Sequence, residues 1–248
     1  MSRAADPDPD PDRVAAVVFD LDGVLVESEH LWEENWRAYA ASRDAPWEAV
    51  DTARLQGMSV PEWSADLARR TADADPVAVA EAVIDGMVGA LAGGRIVLLP
   101  GAAAMVETAA ERVPIAVASS APRRLIEAVL EATALLPLFA ALVSSEEVPR
   151  GKPSPDVYAE AARRLGVDPA HCLAVEDSSN GIRAAAAAGM TVVAIPNPTY
   201  PPHPDALARC AKIAPTPDEV RRYLVERLPP TNPHPQPLSR GAGEGVGG

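Results

Sequence analysis

Two carboxylates set two positions apart, Asp20 and Asp22, follow the run Val14–Phe19 and precede Gly23. The run is short, apolar and β-branched, which is the pattern of a fully buried strand. In extended chain, positions i and i+2 face the same side. Both carboxylates are therefore expected together at the C-terminal end of that strand, with Gly23 free to take positive φ and turn the chain away. Two carboxylates this close repel unless a divalent cation or a shared proton relieves them. The chemistry open to such a pair is metal binding and nucleophilic or acid–base attack. Asp-Gly is also an ordinary hairpin turn, so the rest of the chain has to decide.

Further reactive groups fall where other apolar runs end. Ser119 and Ser120 follow Ile115–Ala118. Lys152 lies in the loop Ser144–Ser154, after the run Ala140–Val143, and Glu176 and Asp177 follow Cys172–Val175. Each has an ordinary structural reading. A serine there can cap the next helix, a lysine before proline can simply be exposed, and Glu-Asp-Ser-Ser can place negative charge at a helix start. Lysine is scarce, however: the chain has two, Lys152 and Lys212, against twenty arginines. If the runs are strands of one parallel sheet, all four groups meet at its C-terminal edge, where open α/β sheets bind ligands.

The elements that must position them follow from the pattern. Helices are expected from Gly101 to about Arg112, from Pro122 to about Ala132, over Asp156–Leu165, over 179–188 and over Pro217–Arg227. Thr191–Ile195 is the last clear strand. Strands alternating with helices predict an α/β fold with a parallel, Rossmann-like sheet and right-handed crossovers.

Residues 30–93 differ. Trp32, Trp36 and Tyr39 lie at near-helical spacing, as do Trp63 and Leu67 after Pro61, and Ala80, Val83, Ile84, Met87, Val88 and Leu91 form a longer stripe. These aromatics read as the core of a helical unit rather than as a ligand box. The expected organisation is a core of residues 13–29 and 95–227, a helical cap of residues 30–94 acting as a lid, a disordered acidic, Pro-rich head at 1–12 and a disordered tail at 228–248.

Composition narrows the function. The chain of 248 residues has a hydrophobic fraction of 48% and a net charge of −13. Such charge argues against a nucleic-acid or anionic-membrane partner, though a bound metal can still receive an anionic substrate. Cys172 and Cys210 have no metal or disulfide spacing, which suits the cytoplasm. The acidic, Pro-rich start is not a signal peptide, and no apolar run reaches membrane-spanning length. A monomer is the expected state.

Taken together, DLDGV at 20–24, the strand-end Ser119, GKPSPDVY at 151–158 and VEDSSNGI at 175–182 resemble the haloacid dehalogenase-like phosphohydrolase superfamily over about residues 14–226. The helical insert after the first motif is similar to the subfamily that includes β-phosphoglucomutase and phosphoglycolate phosphatase. The resemblance implies a Mg²⁺-dependent phosphatase acting on a small phosphorylated metabolite through an aspartyl-phosphate. It makes Asp20 the nucleophile and Asp22 the acid and base. It implies that Ser119 and Lys152 hold the phosphoryl group and that Asp20, Asp22 (by its carbonyl) and Asp177 are metal ligands, with Glu176 at or behind the metal.

The same resemblance sets the alternatives. A dehalogenase would lack Asp22, and a phosphonatase would need a cap lysine, which this chain does not have. A β-phosphoglucomutase-like mutase would hold a second phosphate through an arginine after its LKGVS-like stretch. Here the stretch is LQGMSV and Val60 stands at that place, with Arg54, Arg69 or Arg70 as substitutes. Gln56 and Gly57 form an expected specificity loop. Ser120 and Arg123 are further candidate substrate contacts, and a catalytically silent binding protein is the third reading.

Overall fold

The computed structural model describes residues 14–56, 58–73 and 75–231. The expected head at 1–12 and residues 232–248 of the expected tail lie outside the described residues, as does Gly57. Six strands form one parallel sheet: β1 (Ala16–Phe19), β4 (Ile115–Ser119), β5 (Ala141–Ser144), β6 (Cys172–Glu176), β7 (Thr191–Ala194) and β8 (Lys212–Ile213), in the order β5-β4-β1-β6-β7-β8. β1 lies between β4 and β6, with Phe19 paired to Val117 on one side and Val175 on the other. The order of connection reverses across β1, so its C-terminal end opens a crevice between diverging chains.

The alternation of side chains along the strands builds two apolar layers. Val17, Phe19, Val117, Leu173 and Val175 face α5 (Ala102–Ala110), α6 (Arg123–Ala132) and α10 (Pro217–Arg227). Ala16, Val18, Ala116, Ala118 and Ala174 face α7 (Asp156–Leu165), α8 (Ser179–Ala187) and the short α9 (Pro204–Leu207). The small residues of the second face let α7 and α8 approach closely. Leu228, placed in the tail from sequence, packs into the first layer, so the ordered fold runs past Arg227.

Four helices follow β1: α1 (Glu29–Ala41), α2 (Ala49–Leu55), α3 (Val60–Arg70) and α4 (Pro76–Ala92). Ser59 and Glu62 close a capping box at the start of α3, and Asp75 caps α4 through the amide of Val77. Trp32, Trp36 and Trp63 pack with ring centroids 6.0–6.1 Å apart. The chain leaves and re-enters the sheet domain through an antiparallel ribbon, β2 (Val26–Glu27) with β3 (Val97–Leu98). Neither this ribbon nor β8 carries a sequence signal. Each strand is two residues long and is defined by a distant partner.

Arg124 of α6 reaches Glu81 and Asp85 of α4 at 2.9 Å each. Tyr200, in the loop after β7, donates to Glu33 of α1 at 2.8 Å. Leu173 is fully buried in the central sheet. Leu173→Ala is expected to cost about 2–5 kcal/mol in urea unfolding; a loss below about 1 kcal/mol would contradict this packing account.

Candidate active site

The backbone at the end of β1 is held by the β6 strand: the Asp20 amide donates to the Val175 carbonyl at 3.0 Å. The chain then turns at Gly23, with φ of 72°. A Cβ at Gly23 would lie 2.0 Å from Asp177 Oδ2. Glycine there serves both the left-handed turn and the close approach of Asp177 to the Asp20 loop. The Asp22 carboxylate turns toward α1. Its Oδ1 accepts hydrogen bonds from the Ser28 hydroxyl and, at 3.2 Å, from the Trp32 indole. Both donors fall on one oxygen, which leaves Oδ2 able to carry a proton.

Lys152 is buried between two acids, with Nζ 2.9 Å from Asp20 Oδ1 and 2.6 Å from Glu176 Oε1. The ammonium also lies 5.1 Å from the centre of the Tyr158 ring. Glu176 is fully committed: Oε1 accepts from Lys152 and from Tyr158 OH at 2.7 Å. Its Oε2 accepts from the amides of Asp177 and Ser178, each at 3.0 Å, and from the Ser178 hydroxyl at 3.1 Å. A Cβ at Gly181 would sit 1.6 Å from Glu176 Oε1, so only glycine lets α8 start against that carboxylate. Glu176 thereby fixes Lys152, which in turn faces Asp20.

One cavity is lined by Asp20, Asp22, Ser119, Ser120, Lys152 and Asp177, so six of the residues singled out from sequence meet there. Ser119 Oγ also accepts the Ala121 amide at 3.0 Å, a turn bond ahead of α6; the helix itself follows Pro122 without a side-chain cap. Gln56 lines an adjoining cleft. Arg123 turns away: its guanidinium is taken by Glu127 at 2.7 Å, the Leu142 carbonyl at 2.6 Å and Glu147 at 3.1 Å. At the first turn of α6 its side chain lies along β5 rather than over the strand ends. The candidate cap arginines are likewise engaged. Arg54 pairs with Asp66 at 2.7 Å, Arg69 with Asp66 at 2.7 Å, and Arg70 with Asp51.

Four residues that meet at the site are not assigned to it from sequence: Ser28, Glu29, Trp32, which reads there as helical core, and Tyr158. Trp32, Trp36 and Trp63 also line the cavity, so the tryptophans serve as helical core and cavity wall at once. Glu29 could have been suspected from its place seven residues after Asp22, at the start of a helix entering the same stretch. Tyr158 lies in GKPSPDVY, in the first turn of α7, but its hydroxyl meets Glu176 only through the fold.

The electrostatics are unbalanced. Asp20, Asp22, Glu29, Glu176 and Asp177 surround one ammonium. Burial, with Glu176 and Asp22 adding to it against the pull of Lys152, pushes Asp20 up to about 7. Burial and then Asp22 and Asp20 push Glu29 up to about 8. Asp177 rises well above the ordinary range by burial and then Glu29. Burial also opposes the Glu176 charge, but Lys152 and the hydrogen bonds outweigh it and hold its pKa down. Asp20, Glu176 and Asp177 each bring an oxygen within 4.8 Å of the others. Asp20 Oδ1 is buried with no well-directed hydrogen bond despite its ion pair. Hard oxygen donors, excess negative charge and an unsatisfied carboxylate oxygen fit a divalent cation such as Mg²⁺.

This geometry has counterparts. The chain belongs to the haloacid dehalogenase-like hydrolase family, whose model matches residues 14–189. Within it, the chain is 36% identical over 194 residues to hexitol phosphatase B of Escherichia coli (strain K12), spanning 76% of this chain and 86% of that one. It is 30% identical over 190 residues to the fructose-1-phosphate phosphatase of the same strain, spanning 73% and 96%. The crystal structure of CbbY from Rhodobacter sphaeroides in complex with phosphate superposes with a TM-score of 0.75 at 28% identity, covering 84% of this chain and 96% of that one. The chain is thus an enzyme of this hydrolase family with phosphatases among its relatives. Among the described residues, no helix is long and apolar enough to cross a membrane.

The raised acids give a stability signature. Asp20 and Glu29 bind protons more tightly folded than unfolded, so their contribution is fully present below the ordinary values of 3.8 and 4.5 and is lost as pH rises through about 7 and about 8. With a chelator present, the melting temperature is expected to be higher at pH 5.5 than at pH 8, and Asp20→Asn should shrink the difference. A melting temperature that is flat or rises over that range would contradict the reading of the cluster.

Proposed function

We propose that the protein is a Mg²⁺-dependent phosphatase of the cytoplasm that hydrolyses a small phosphate monoester, a sugar phosphate or similar metabolite, through an aspartyl-phosphate on Asp20. The observation that carries this reading is Asp20 Oδ1, buried at the end of β1, 2.9 Å from Lys152 and inside the cavity that Asp22 and Ser119 also line. Names among the relatives, hexitol phosphatase and fructose-1-phosphate phosphatase, support the substrate class.

Asp20 attacks phosphorus, an O–P bond forms, and the ester P–O bond breaks. Asp22, whose pKa is raised by burial, delivers a proton from Oδ2 to the leaving oxygen. Asp22 then takes a proton from water as that water attacks phosphorus, the Asp20–phosphorus bond breaks, and orthophosphate leaves. Lys152 and Ser119 hold the phosphoryl oxygens, and Glu176 and Tyr158 keep Lys152 aimed at Asp20. Asp20, Asp177 and the Asp22 carbonyl would hold Mg²⁺, with Glu176 behind them as a positioning residue; when bound, the ion offsets the negative charge gathered at the phosphoryl group. The helices α1–α4 act as a cap whose tryptophans close the cavity from bulk water.

Hydrolysis is favoured over the mutase reading because Arg54, Arg69 and Arg70 are spent on Asp51 and Asp66, leaving none of them to hold a second phosphate. Phosphate release from a panel of monoesters with Mg²⁺ is the test. Release is expected to stop with a chelator and to fall roughly 10³-fold or more in Asp20→Asn. Conversion of β-glucose 1-phosphate to glucose 6-phosphate with little release would instead establish a mutase. No turnover by folded protein would favour a silent binding protein.

A further inference from the structure

Two cavities meet at Glu29. The inner one, about 50 Å³, contains Asp20, Lys152 and Ser119 beneath the three tryptophans. The outer one, about 290 Å³, opens between Gln56, the start of α8 and the loop carrying Tyr200 and His203. Glu29, Asp177 and Ser178 line both. A site for one water needs roughly 10–15 Å³ on the same measure. The inner cavity therefore admits a phosphoryl group and the atoms joined directly to it, and the rest of any larger ester must pass Glu29 into the outer cleft.

The passage is lined with unspent hydrogen-bonding capacity. Trp36 is 3% exposed, and its indole N–H finds no acceptor. Ser120 Oγ, on the inner wall, and Gln56 Nε2, on the outer one, are also buried without partners. Buried polar groups are normally paired, so these three, two on the inner wall and one on the outer, are positioned for the oxygen atoms of a ligand that spans both cavities. Glu29 adds a carboxyl group at the junction. The indole faces supply an apolar surface for C–H groups.

The same walls offer little to a second anion. Arg183, on the outer wall, is tied to Asp205 by hydrogen bonds of 2.8–3.1 Å. The amides of Asp177 and Ser178, just before α8, are already taken by Glu176, and inside the helix that of Gly181 is taken by the Ser178 hydroxyl. Among the described residues of the outer cleft, this leaves His203 as the basic side chain without a carboxylate partner. A second phosphate or a carboxylate would sit there beside the Glu29 and Asp177 carboxyl groups with no unpaired guanidinium or ammonium to receive it.

We infer that the leaving-group side of this site selects a neutral, hydroxyl-rich chain and rejects esters bearing a second phosphate or a carboxylate. Trp36, Gln56, Ser120 and Glu29 are the residues that read its hydroxyl groups. This rests on the phosphatase reading and specifies its substrate class.

The test compares kcat/KM for sorbitol 6-phosphate and fructose 1-phosphate with that for fructose 1,6-bisphosphate and phosphoglycolate, with p-nitrophenyl phosphate reporting the chemistry alone. The neutral polyol esters are expected to be preferred by roughly 10²-fold. Trp36→Phe, which removes the N–H and keeps an aromatic ring, and Glu29→Gln are each expected to lower the ratio of polyol ester to p-nitrophenyl phosphate by about tenfold. Phosphate release without preference for neutral esters, or an unchanged ratio in both variants, would overturn this inference and leave the phosphatase reading intact. Failure to hydrolyse any of these esters, p-nitrophenyl phosphate included, would overturn both.

Discussion

The site depends on one buried ion bridge, Lys152 held between Asp20 and Glu176. Removing an ammonium and several carboxylates from water is costly unless each is paired and hydrogen-bonded. Glu176 meets that requirement with five hydrogen bonds from Lys152, Tyr158, two amides and the Ser178 hydroxyl. Asp20 does not: one oxygen faces Lys152 without a well-directed hydrogen bond. The asymmetry separates the two acids. Glu176 is saturated and fixes the lysine, whereas Asp20 keeps unsatisfied bonding capacity.

The remaining architecture serves that arrangement. A parallel sheet with β1 between β4 and β6 brings strand ends from distant parts of the chain to one edge. Gly23 and Gly181 allow two carboxylates, Asp177 and Glu176, to approach neighbouring backbone where any side chain would collide. The helices after β1 then give Asp22 its donors. Ser28 lies just before α1 and Trp32 one turn inside it, so the entry into the helical unit is tied to the acid it serves.

The gathering of Asp20, Asp22, Ser119, Lys152 and Asp177 at one cavity could be read from the chain because these residues sit at or just beyond strand ends, and buried strands are marked by local apolar runs. The two-residue repeat points to Asp20 and Asp22 as a pair, and both line the cavity, although β1 ends at Phe19 and Asp22 sits in the turn beyond it; Lys152 is one of two lysines. The residues that escaped are placed by tertiary structure. Glu29 and Trp32 lie on a helix whose apolar stripe looks the same whether it faces a core or a cavity. Tyr158 finds Glu176 across 18 positions. The β2–β3 ribbon and β8 are too short to carry a repeat, and two of the three groups that hold Arg123, on β5 and in the turn after it, are far along the sequence.

The measurement that bears most directly on the central claim is acid quenching of a single turnover, followed by mass analysis of the peptide containing Asp20. The account predicts a transient phosphoryl adduct on Asp20 that decays as orthophosphate appears and is absent from Asp20→Asn. Orthophosphate released at full rate with no adduct at any quench time, or an adduct on another residue, would contradict it.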